Sequence, residues 1–204
     1  MIYGGKSMKR ILVIISIIMV LVGLSACTET QKTEEVYTYE GETDINIDDR
    51  NFTLEEEPEN KAEEIVVNYY LYNIRADFDS MADILPNNES DRISLENERE
   101  AFKDGNYIKS YIIHELSTLT EKEYREERLE NGEYNILYYY GWEEVVEENN
   151  LIEYEIINVN FTQIHNEKSI ELGPQWGNGM FSRSFIVGKS SNEDNYRIYA
   201  FGMM

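Results

Sequence analysis

Ile152–His165 reads IEYEIINVNFTQIH, with Ile157, Val159 and Phe161 falling on one side of an alternating pattern and Asn158, Asn160 and Thr162 on the other. A period of two built from β-branched and aromatic residues predicts a strand with one buried face. Downstream, Gly173, Pro174, Gly177 and Gly179 mark a loop. Met180–Val187 and Tyr196–Phe201 then read as two more strands, joined by a turn over Gly188–Asn195. Upstream, Tyr107–Thr120 is strand-like, with Ile108, Ile112, His114 and Leu116 on one parity and Tyr107, Tyr111 and Ile113 on the other. The C-terminal half is therefore strand-rich.

Before these strands the period changes. Asn60 followed three residues on by Glu63 has the form of a capping box, just after Pro58. Ile65, Val66, Tyr69, Tyr70 and Ile74 then recur at helical spacing, with Leu71 and Tyr72 widening the stripe. Ala76–Leu85 carries a second helical set that Pro86 stops, and Ile93–Phe102 has the composition of a short third helix. Glu121–Leu129 is charged and helix-prone, and Tyr134–Glu148 reads as helix despite Gly141. Helices first and strands after is an α+β order.

The first 27 residues carry a different signal. Lys9 and Arg10 precede an apolar run from Ile11 to Leu24, and Leu24-Ser25-Ala26-Cys27 follows. The run is roughly 14 residues, short of the about 20 that a spanning helix needs, and it fits the hydrophobic region of an export signal. Its closing tetrad resembles a bacterial lipobox, which implies that Cys27 is lipidated and that residues 1–26 are removed. Tyr3-Gly4-Gly5 can be encoded by a ribosome-binding sequence, so Met8 is the expected start. Cys27 is the single cysteine, which leaves packing and no intrachain disulfide to hold the fold.

Charge is distributed unevenly. The chain has 40 Asp and Glu against 18 Lys and Arg, a net charge of −22. Lys6, Lys9 and Arg10 leave with the signal, so the remainder carries about −25. Such a chain is repelled by nucleic acid and anionic headgroups, which sets nucleic-acid binding aside. Residues 27–59 are rich in Glu and Asp and show no sustained period, so they read as a lipidated cysteine followed by a flexible, disordered acidic tether.

Four stretches resemble the small Firmicute lipoproteins that carry a cystatin-like (nuclear-transport-factor-two-like) domain of unknown function. They are Ala62–Tyr70, Asp77–Pro86, Leu151–Phe161 and Phe185–Gly202. The resemblance implies a domain over residues 60–204 in which N-terminal helices pack on a curved antiparallel sheet, forming a cone with a cavity. Leu119–Asn150 exceeds what that fold needs. The resemblance implies no reaction, because this fold hosts enzymes, binders and structural modules.

The residues themselves offer little chemistry. Two histidines, His114 and His165, and one cysteine give no zinc spacing, and no nucleophile motif is present. Asp77, Asp79 and Asp83 lack the ligand number and turn glycine of a calcium loop. No metal or cofactor is expected. His114, Glu155 and Arg183 lie near apolar strand positions and form a candidate ligand site facing the cone, with a structural ion pair between Glu155 and Arg183 as the alternative. Trp142 and Trp176 are candidate stacking platforms. The expectation is a lipid-anchored protein on the extracytoplasmic face of the cell membrane that binds a protein or small ligand without catalysis. The alternative is an enzyme or small-molecule carrier that uses the cone cavity.

Overall fold

The computed structural model describes residues 37–119 and 141–203. They form a mixed α+β fold in which five helices accompany a six-stranded sheet that is not closed. The strands are β1 (Asp44–Ile47), β2 (Arg50–Leu54), β3 (Ile108–Leu119), β4 (Leu151–His165), β5 (Gly179–Ser190) and β6 (Arg197–Met203), and they lie in the sheet in sequence order. The helices are α1 (Lys61–Arg75), α2 (Phe78–Asp83), α3 (Glu89–Lys103), α4 (Trp142–Glu148) and α5 (Glu167–Leu172).

Helix α1 begins where the capping pattern places it. The Asn60 side chain accepts from the Glu63 amide at 2.9 Å, while the Glu63 carboxylate reaches back to accept from the Glu59 amide at 2.7 Å. It ends at Ala76, a non-glycine residue at φ 55°, whose amide donates to the Asn73 and Tyr72 carbonyls. Asp77 and Asn88 cap α2 and α3 in the same way as Asn60, each accepting an amide three residues on. Helix α3 starts four residues before the expected Ile93. The sequence between is polar, and the Asn88 cap marks the true start better than the first apolar residue does.

One expectation fails outright. Residues 44–54, assigned to the tether, form β1 and β2, which pair antiparallel with each other. Strand β2 then lies parallel to β3, so the sheet is not wholly antiparallel. The three helices between β2 and β3 form the crossover that a parallel pair requires. Two features hide the hairpin in the sequence: its strands are only four and five residues long, and its inward residues Ile45, Phe52 and Leu54 sit among acids. Arg50 is 8% exposed and donates to the Ile74 carbonyl at 2.6 Å, which ties β2 to the C-terminal end of α1. Its guanidinium also lies 4.8 Å from the centre of the Phe102 ring.

Along β4 the alternation holds, and Ile157, Val159 and Phe161 are fully buried. On β3 it does not. Register shifts fall between Ile108 and Ser110 and between Ile113 and Glu115, so the inward positions run Tyr111, Ile113 and then Leu116. Each bulge moves later side chains to the opposite face. Beyond Val187, β5 continues to Ser190, so the turn starts later than Gly188. Gly188 is required there, because a Cβ would stand 2.8 Å from the Glu153 carbonyl oxygen.

The inner face of the sheet packs against α1 around Tyr70, Phe161 and Phe185. Part of the outer face is covered by α4, whose Trp142 buries against Ile156 and Ile186. Gly141, at φ 67°, turns the chain into this helix and does not interrupt it. The expected export signal, Cys27, the helix over Glu121–Leu129 and residues 134–140 lie outside the described residues. Among the described residues no helix is long and apolar enough to cross a membrane.

Candidate functional site

The three residues proposed together are held apart. The ring of His114 lies by the bulge of β3, with Nδ1 2.8 Å from Glu55 Oε2 and Nε2 2.8 Å from Thr162 Oγ1. Thr162 belongs to the outer parity of β4, so His114 does not face the helix side. Glu155 and Arg183 do share the inner face, since they pair across the sheet with Val187 and Val159 respectively. Four residues of β4 separate Glu155 from Val159, about 13 Å of strand. The ion pair between Glu155 and Arg183 is therefore not formed.

Arg183 opens onto a cleft of about 390 Å³. One wall comes from α1 and α3, through Tyr69, Asn73, Glu98 and Phe102. The other comes from the sheet, through Tyr111, Gln163 and Phe201, with Trp176 at the rim. Its guanidinium carbon lies 5.1 Å from the Phe201 ring centre, 5.3 Å from Phe161 and 6.0 Å from Phe185. Nε donates to the Met203 sulfur at 3.1 Å, a weak acceptor. No carboxylate of the described residues forms an ion pair with it.

Electrostatic effects follow from this burial. Desolvation pushes the Tyr69 hydroxyl up to about 12, against the opposing influence of Arg183 beside it. Tyr70 is raised well above its ordinary value by burial, against the opposing influence of Arg183, and its hydroxyl makes no hydrogen bond of ordinary geometry among the described residues. Burial raises the Glu98 carboxyl, while the charge of Arg183 acts the other way. Glu98 nonetheless sits on an exposed part of α3 at the mouth, whereas Arg183 lies deeper in the sheet.

The rim is positioned by two residues of β4. The Gln163 amide donates to the carbonyls of Trp176 at 3.1 Å and Gly177 at 3.0 Å. His165 Nε2 lies 2.8 Å from the same Trp176 carbonyl, and the His165 amide donates to Asn178 at 2.7 Å. Burial lowers the His165 pKa, partly offset by its bond to the Trp176 carbonyl, so the neutral ring is favoured. The Gly173–Gly179 loop is thus fastened to the sheet and holds Trp176 half-exposed against Phe181, with ring centres 6.0 Å apart.

Of the two candidate platforms, Trp176 lines the cleft and Trp142 is buried under the outer face. Gln163 and Glu98 were not singled out in the sequence. Gln163 had a signal in retrospect: it continues the inward parity of Ile157, Val159 and Phe161, so a buried amide there needed partners. Asp79 makes a 2.7 Å ion pair with Arg99 at the surface. No group of three or more metal-ligating side chains occurs among the described residues. Compared with protein families, curated proteins and solved structures, the chain matches none.

Proposed function

We propose that this chain is a lipid-anchored domain on the extracytoplasmic face of the cell membrane and that it holds a small ligand in the Arg183 cleft. The single observation carrying the binding part is the cleft itself: an aromatic-walled cavity with a few convergent polar groups, the usual form of a small-molecule site. A filled apolar interior would have favoured a protein-binding module. The open cavity favours the small-molecule carrier. The cystatin-like reading is supported by the α+β order and by the packing of the sheet's inner face against α1. Support for the anchor comes from the basic flank, the apolar run and Leu24–Cys27.

Each part has its own test. Cys27→Ser should release the protein into the medium or leave it unprocessed, and a processed, membrane-bound Cys27→Ser chain contradicts the anchor. For the cleft, thermal-shift screening of small molecules should find compounds that raise the melting temperature of the unaltered protein. Ala101→Trp, which places an indole in the cavity, should cancel the shift. A shift indifferent to Ala101→Trp, or none across the screen, contradicts the binding role.

A further inference from the structure

The charge inside the cleft narrows the ligand class. Arg183 is a permanently ionised group set among the rings of Phe161, Phe185 and Phe201; its Nε donates to a thioether, and the neutral hydroxyl of Tyr69 is another side-chain partner. Ring faces attract a cation and a phenolic oxygen accepts from it, yet neither supplies the counter-charge that a guanidinium fork can bind. A buried charge is ordinarily paired, because desolvation without a counter-charge is costly. Glu98 is the nearest candidate within the cleft, but it stands at the exposed mouth and forms no ion pair with Arg183.

Arg183 lines a cavity whose walls include Tyr69, Phe78, Phe102, Tyr111, Trp176 and Phe201. We propose that the cleft receives a small organic oxyanion on a flat apolar body, with Arg183 binding the anionic group and the Trp176 and Phe102 walls holding the ring. The inference rests on the cleft being a ligand site and adds the chemistry of its occupant. A guanidinium fork matches either a carboxylate or a phosphate by paired, charge-assisted hydrogen bonds. The flat body accounts for the aromatic walls, which a bare inorganic ion would leave unused.

The test is calorimetric titration of the lipobox-processed chain with four probes: benzoate, phenyl phosphate, benzamide and inorganic phosphate. At least one of benzoate and phenyl phosphate should bind, and whichever binds more tightly identifies the oxyanion. Benzamide keeps the ring and shape but not the charge, and should bind roughly tenfold or more weakly, a step of about 1.4 kcal/mol. Inorganic phosphate should be weaker still. Arg183→Met should lose roughly tenfold or more in affinity for the charged aromatic probe and nothing for benzamide, with Arg183→Lys between the two.

Should Arg183→Met fail to fold, the comparison of benzoate with benzamide on the unaltered chain decides alone. Equal binding of benzamide and the charged probes overturns the oxyanion assignment while leaving the cleft a ligand site. Binding of none of the aromatic probes overturns it too, and the thermal-shift screen with Ala101→Trp then judges the cleft separately.

Discussion

The two ends of α1 handle charge in opposite ways. At its N-terminal end, buried Glu63 is closed into a network: it accepts from the Glu59 amide and from Thr118 Oγ1 at 2.7 Å, and Thr118 in turn accepts from Asn60. At its C-terminal end, Tyr69 and Asn73 border a cleft in which the guanidinium of Arg183 meets rings and open space. One end spends its polar groups on holding the helix to the sheet. The other holds a cation that forms no ion pair with a carboxylate of the described residues. The difference teaches where to look for function: a satisfied buried charge explains itself structurally, and an unsatisfied one beside a cavity points to a missing partner.

The largest effect should come from breaking the closed end. Glu63→Ala removes the reciprocal cap and leaves Thr118 and the Glu59 amide without their acceptor, a loss of about 3 kcal/mol in chemical denaturation. A change under about 1 kcal/mol would show that the network contributes little. Arg50→Ala, at the cleft end, should cost about 2 kcal/mol by unbinding β2 from the Ile74 carbonyl and uncovering Phe102. It should also weaken any cleft ligand, since Phe102 is a wall; unchanged stability would contradict the hairpin's role in the domain.

Smaller changes sharpen the contrast. Tyr70→Phe deletes a buried hydroxyl that makes no hydrogen bond of ordinary geometry among the described residues, and should be neutral or stabilising by about 1 kcal/mol, whereas a loss would reveal a bond from Arg183 to that hydroxyl. Ala76→Gly should stabilise by about 0.5–1 kcal/mol, because glycine adopts the left-handed cap without a Cβ penalty. Loss of stability on equilibrium unfolding would contradict that reading.

Glu155 adds a pH dependence to the closed end. Its carboxyl is raised from an ordinary 4.5 first by burial and then by the charges of Glu63 and Glu153, and one of its oxygens is buried without a hydrogen-bond partner among the described residues. For an acid whose folded pKa is raised, the folded state binds more protons between the unfolded and folded values. Stability contributed by this group is therefore lost as pH rises above about 4.5, and none of the penalty remains well below that value. Glu155→Gln should gain stability at about pH 8 relative to the unaltered chain and flatten the slope. An unchanged slope in denaturation midpoints would assign the effect elsewhere, for instance to Glu98, which shifts in the same direction.

The helices and the long strands were legible because they carry their own signals. Asn60 with Glu63 marks a helix start, and Ile157, Val159 and Phe161 mark one face of a strand. The β1–β2 hairpin was not, since Phe52 and Leu54 acquire meaning only through pairing with β3 and packing under α1. His114 was misplaced by a bulge, which a sequence does not announce, and every residue beyond it would have been misassigned by simple alternation. Arg183 was legible as inward-facing from its parity, but not as lacking an ion pair among the described residues. That property depends on which of 40 acidic residues comes near it, a question of tertiary structure.

The most direct measurement is a crystal structure of the chain with benzoate or phenyl phosphate bound. The predicted result places the anionic oxygens within hydrogen-bonding distance of the Arg183 terminal nitrogens, with the ring between Trp176 and Phe102. An empty cleft with Arg183 turned onto Glu98 would contradict it.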